Sequence, residues 1–226
     1  MCENKVISIS DILRVINHGP PSIIDQKAAK LGIEMHGKLT RAFVDGEIPP
    51  RLQKAGVTLP IEPGKKVNME VGNNLNLTAI PDLIGNEFTI EIKKGPISGR
   101  TLIQTAGTCL ARGAGGEGVV YLYGDGKTYV LPDGGKCVEA HINILAQNAR
   151  RILDIQELLD NRPKGLIKHP KLERETMVEN GLFFRKPPCN PERIILGRES
   201  VKLGEQVDDL ALDAYEKLKG NLMQVR

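Results

Sequence analysis

The segment "CVEAHINILAQNARRILDIQELLDN", residues 137–161, constrains the fold more than any other stretch of the chain. Val138, His141, Ile142, Leu145, Ala149, Ile152, Ile155 and Leu159 recur at three- and four-residue spacing, which puts them on one stripe of a helix over 137–160. A stripe that broad has to be covered by another element, and the residues before it offer a sheet. "EFTIEIKKG" sets Phe88, Ile90 and Ile92 against Glu87, Thr89, Glu91 and Lys93, the period of a strand with one face buried. "VVYLY" and "KTYVL" flank Gly124-Asp125-Gly126, a hairpin signal because Asp-Gly tolerates positive φ. "KKVNMEV" alternates ahead of a turn at Asn73-Asn74, and "RTLIQTAG" reads as a further strand.

The ends of the chain read as helical. Ser8 and Ser10 are N-cap candidates for "DILRVINHG", with Ile12, Leu13, Val15 and Ile16 as the apolar face. Ser22 caps a second helix that stops at Gly32, and "HGKLTRAFV" forms a third before Pro49-Pro50. Beyond Pro163, a proline-rich arm over 163–197 precedes a last helix from about Glu199. The expected fold is α+β: a central antiparallel or mixed sheet, or barrel-like unit, over about 60–135, flanked by an N-terminal helical segment and C-terminal helices. The expected division is 1–58, 59–162 with the helix 137–160 packed on its sheet, and 163–226.

Composition narrows function by exclusion. Thirty-one Lys and Arg against 28 Asp and Glu leave a net charge of +3, too balanced for a general nucleic-acid coat. Four Phe, four Tyr and no Trp argue against a surface built on base stacking. Cys2, Cys109, Cys137 and Cys189 form no C-x-x-C pair, and His18, His36, His141 and His169 have no spaced companion, so no metal site is expected. The absence of an apolar leader or a membrane-length run points to a cytoplasmic protein with free thiols and no membrane partner.

Two glycine segments are the leading site candidates. "ARGAGGEGVV" contains Gly113, Gly115 and Gly118 in the spacing G-x-G-x-x-G. A strand follows instead of the helix that a dinucleotide turn requires, and no kinase lysine or catalytic-loop motif follows either. A glycine-rich loop between strands, beside Arg112, remains. "LPDGGKCVEAHIN" does run strand, Gly134-Gly135, helix, so unpaired N–H groups and the helix dipole favour an anion there. Lys136 adds charge, Cys137 at the helix start is a candidate thiolate, and His141 follows one turn on.

Gln26 to Phe43 resembles a helix-turn-helix, with Ala28 as the small residue, Gly32 in the turn and Ile33 after it. Its next apolar position, Leu39, falls one residue late, with Lys38 in the expected place and Gly37 weakening the second helix. "GLFFRKPPCNPERIILG" is an arm suited to docking on its own β-domain or a neighbouring subunit.

Three functions follow from these features. The first is an enzyme or enzyme subunit with a small anionic ligand, bearing phosphate or carboxylate. Arg112, Gly113, Gly115, Gly118, Gly134, Gly135 and Lys136 would line its cleft, and Cys137 and His141 would carry the chemistry. The second is a ligand-sensing transcription regulator, with DNA as partner of the N-terminal helices. The third is a non-catalytic assembly protein of several identical subunits. No particular cofactor is singled out.

Overall fold

The computed structural model describes residues 5–16, 26–113, 116–160 and 191–226, with side chains described in all of these except 26–31, 159–160 and 191–194. The fold is α+β, with mixed sheets and helices on both sides of the larger one. The chain starts in a strand, β1 (Lys5–Ser8). Ser8 then caps α1 (Ile9–Val15): its Oγ accepts the Asp11 N–H at 3.0 Å while the Asp11 carboxylate accepts the Ser8 N–H. Of the two cap candidates, Ser8 is the one used.

α2 (Gln26–Val44) is continuous through Gly32 and Gly37. The expected helix-turn-helix is therefore not formed: Gly32 lies inside one helix, and no turn separates Ala28 from Leu39. α3 (Pro50–Lys54) follows. β3 (Val67–Glu70) and β4 (Leu75–Ala79) join across Asn73 and Asn74, both at positive φ as a tight turn demands. With β1 they form a three-stranded sheet in the order β1-β4-β3.

The larger sheet has the order β2-β5-β6-β7-β8-β9, using β2 (Glu62–Pro63), β5 (Leu83–Ile84), β6 (Phe88–Lys93), β7 (Glu117–Leu122), β8 (Lys127–Leu131) and β9 (Met223–Val225). β6 and β7 are parallel, and the other pairings are antiparallel. A parallel pair needs a crossover element, and "RTLIQTAG" supplies it as a helix rather than a strand. α4 (Gly99–Arg112) is capped by Ser98 and buries Leu102, Ile103, Ala106 and Leu110, spaced for one helical face. The interval 60–135 is thus not β alone.

This crossover also changes β6. Phe88, Ile90 and Ile92 pack with Phe43 and Leu52 of α2 and α3 on one face. Thr89 and Glu91 belong to the other face, which α4 covers, and both are buried. A strand expected to have one wet face has none, because parallel neighbours joined by a helix are covered on both sides.

α5 (Glu139–Asp160) follows a 3-10 segment, Pro132–Val138, much as its stripe implied. It packs chiefly on α1, α4 and α6 (Pro191–Asn221), not on the sheet. α6 begins at Pro191, so the last part of the expected arm is helical; residues 163–190 of that arm lie outside the described residues. Among the described residues, no helix is long and apolar enough to cross a membrane.

Candidate functional site

The two glycine segments meet in space. A Cβ placed on Gly134 would lie 2.8 Å from the Gly116 carbonyl oxygen and 2.7 Å from Cys109 Cβ. One on Gly135 would lie 2.7 Å from Ala106 Cβ. Both residues also hold positive φ, so glycine is required there on two grounds. Gly118 lies within β7, where a Cβ would approach Thr105 of α4 to 2.8 Å. Gly113 is the left-handed C-cap of α4. Gly115 lies outside the described residues. The segment thus joins a helix to a strand, which corrects the expected loop between two strands.

Arg112 is not free to bind a ligand beside this junction. Its guanidinium donates to the carbonyls of Gly85, Asn86 and Phe88, the last at 2.6 Å, and pins the β5–β6 turn. Lys136 is exposed. A groove of about 590 Å³ reaches the glycine segment at Gly116 and Glu117, and its charged lining residues are Glu87 and Glu117. That charge does not suit an anion.

Cys137 and His141 lie at the start of α5, against α6. His141 Nε2 is 2.6 Å from the Asp213 carboxylate, and Lys217 Nζ lies 3.0 Å from the same oxygen and 3.1 Å from the ring nitrogen. The Asp213 carboxyl is held below its usual range, first by Lys217 and then by His141. Asn221 donates to Cys137 Sγ at 3.3 Å. These contacts tie α5 to α6 at the surface. The Cys109 thiol, by contrast, is buried under the sheet and pushed up to about 11 by desolvation.

A polar cluster around one buried carboxylate lies elsewhere, at the C-terminal end of β6. Glu91 is 1% exposed. Its Oε1 accepts from Gln104 Nε2 of α4 at 2.6 Å and from Lys93 Nζ at 2.5 Å, while Oε2 has no partner. Asp82, from the turn into β5, is its electrostatic neighbour. Asp82 Oδ2 accepts the Ile92 N–H at 2.7 Å and pairs with His36 Nε2 of α2 at 3.0 Å, so Oδ1 carries neither bond. Burial, reinforced by the Asp82 charge and opposed by Lys93, raises the Glu91 carboxyl to about 7.

A shallow groove of about 320 Å³, lined by Gly32, Ile33, His36, Ile92, Lys93, Lys94 and Tyr123, meets the cluster through His36 and Lys93, the partners of Asp82 and Glu91; the carboxylates themselves do not line it. Among the described residues, no three His, Cys, Asp or Glu side chains are spaced to hold a metal ion by themselves. Two carboxylates still suffice for Mg²⁺, which keeps several waters and takes other ligands from a phosphate. The unpaired, buried Glu91 Oε2 fits that role, since an orphaned carboxylate oxygen inside a fold otherwise stands uncompensated.

This group was missed in the sequence because Glu91 and Lys93 looked like the wet face of an amphipathic strand. The available signal was "PDLIGNEFTIEIKKG", three carboxylates (Asp82, Glu87, Glu91) and two lysines (Lys93, Lys94) within thirteen residues ending in an alternating strand. No protein-family model matches the chain, and no curated protein or solved structure does either.

Proposed function

We propose that the chain is a divalent-cation-dependent hydrolase of nucleic-acid phosphodiesters, with Asp82, Glu91 and Lys93 at its centre. The carrying observation is Glu91: a fully buried carboxylate with one unpaired oxygen, beside a second carboxylate and bound to Lys93, which lines a groove. Ligands in open sheets with a parallel pair bind outside the strand C-termini, which is where this groove lies.

A cation held by Asp82 and Glu91 would polarise a phosphoryl oxygen and acidify a water molecule. Asp82 is preset for this by the Ile92 N–H and His36, which fix one oxygen and leave the other. Gln104 holds Glu91 from α4. Lys93 donates once to Glu91 and has further N–H groups for a phosphoryl oxygen. In the reaction, the water oxygen would bond to phosphorus as the bond to the leaving oxygen breaks; the proton lost by water passes to solvent, and a solvent water returns a proton to the leaving sugar oxygen, giving an alcohol and a phosphomonoester. No cysteine, serine or threonine nucleophile is needed.

The groove is shallow and bears Lys93 and Lys94, which suits a chain passing over the surface better than an enclosed small molecule. The anionic ligand expected from the sequence is kept, as the phosphodiester, but at a different place. Support for the glycine-lined cleft is weaker, since Arg112 is committed to the β5–β6 turn. The free thiols of Cys109 and Cys137 accord with a reducing cytoplasm.

The test is cleavage of a 5′-fluorescein oligodeoxynucleotide and its RNA equivalent with Mg²⁺ or Mn²⁺. Cleavage that stops with EDTA and falls at least 100-fold in Asp82→Asn and Lys93→Ala supports the reading. Cleavage that survives EDTA or Asp82→Asn overturns it, as does no cleavage of either strand.

A further inference from the structure

The groove lined by His36 and Lys93 has a composition that a bare phosphate does not explain. Ile33 is 74% exposed on α2, an unusual place for a large apolar side chain. It stands three residues before His36, on the same face of the helix, so both look onto the groove. Tyr123 faces it from the end of β7, held by its N–H bond to the Lys93 carbonyl at 2.9 Å. Lys94 is exposed at the rim, next along the strand from Lys93. The groove therefore has apolar and aromatic walls and a cationic rim, and two of its lining residues, His36 and Lys93, are the partners of Asp82 and Glu91.

We infer that this groove is a nucleoside subsite: Ile33 and Tyr123 take the base next to the scissile phosphate, and Lys94 pairs with the following phosphate. The inference rests on the phosphodiesterase reading and adds a substrate class. A base can enter between Ile33 and Tyr123 only when it is unpaired, so the substrate is single-stranded. The volume, about 320 Å³, is at the small end for ligand sites and holds one nucleoside, not a duplex. The chain's scarcity of aromatics is no obstacle, since the subsite uses one tyrosine and one aliphatic wall. Stacking of this kind tolerates any base, so little sequence preference is expected.

The substitutions Ile33→Ala and Lys94→Ala remove exposed side chains and spare the fold. The probe is a fluorescein-labelled 12-residue oligodeoxynucleotide, alone or annealed to its complement. Cleavage is followed with Mg²⁺, and binding by fluorescence polarisation with Ca²⁺. The single strand is expected to be cleaved at least tenfold faster than the duplex at limiting substrate. Ile33→Ala should weaken binding about fivefold, and an abasic residue in the probe should abolish that difference. Lys94→Ala should lower the slope of log affinity against log salt by about 0.7, the value for one phosphate contact on a single strand. Mg²⁺ affinity by calorimetry should stay at the wild-type value in both variants.

Equal cleavage of duplex and single strand overturns the subsite, and so does binding unmoved by both substitutions. Oligonucleotide binding that both substitutions weaken, without any cleavage, would keep the subsite and sink the hydrolase alone. Neither binding nor cleavage would sink both.

Discussion

Replacing Glu91 by Gln should stabilise the protein at pH 8 and leave it nearly unchanged at pH 4.5. The carboxyl rises from 4.5 to about 7 on folding, chiefly through burial. Each pH unit between those two values corresponds to about 1.4 kcal/mol, so the ionised form weakens the fold by roughly 3 kcal/mol. The sign follows from proton binding. Between pH 4.5 and 7 the unfolded chain has released this proton and the folded one still holds it. Stability therefore falls as pH rises through that window, and levels off above the folded value. The substituted glutamine keeps an oxygen for the Gln104 amide and carries no charge at any pH. For a chain of this length, roughly 3 kcal/mol moves Tm by about 6–12 °C. Thermal melts of both proteins from pH 4.5 to 8, with EDTA present, should show the gap opening across the window. Adding Mg²⁺ at pH 8 should raise the wild-type Tm and leave Glu91→Gln unmoved. A gap constant with pH, or a variant less stable than wild type at pH 8, would refute the reasoning. The prediction also describes a familiar trade: a site residue that weakens the fold is kept for what it binds.

Other consequences are local. Arg112→Ala should lower stability by about 2 kcal/mol, since three turn carbonyls lose a charged donor; Mg²⁺ affinity by calorimetry should be unaffected. Gly134→Ala puts a methyl 2.7 Å from Cys109 Cβ at positive φ, and a loss of at least about 3 kcal/mol is expected by denaturant melts. Iodoacetamide at pH 8 should label exposed Cys137 in the native protein and leave Cys109 unlabelled until the chain unfolds, as read by peptide mass mapping. Cleavage rates at fixed Mg²⁺ should fall with unit slope as pH drops into the range where Glu91 is protonated, because a cation needs its carboxylate.

Local chemistry was legible in the sequence; long-range placement was not. The Ser8 cap, the Asn73-Asn74 turn, the Gly124–Gly126 hairpin and the 137–160 stripe each depend on a few neighbouring residues, and each forms. "RTLIQTAG" misled because a short, mixed apolar run fits a strand or a helix, and the parallel pairing of β6 with β7 decides it. That pairing also buries Glu91, so the misreading of α4 and the missed site have one cause. His36 could not be linked to Asp82 from spacing, since they meet only through the packing of α2 on the β5–β6 end. The glycines at 113–118 and 134–135 drew attention for a sound reason, close backbone approach, but what approaches Gly116, Gly118, Gly134 and Gly135 is the chain itself, and Gly113 serves only as a left-handed cap.

The central claim, that Asp82 and Glu91 bind a divalent cation, is tested most directly by titrating Mn²⁺ into the 226-residue chain calorimetrically. Runs at pH 7 in buffers of different ionisation enthalpy count the protons released. The account predicts one saturable site, about half a proton released at pH 7 as Glu91 ionises, and no binding in Asp82→Asn or Glu91→Gln. Saturable binding that persists in both variants, or none in the wild type, would contradict it.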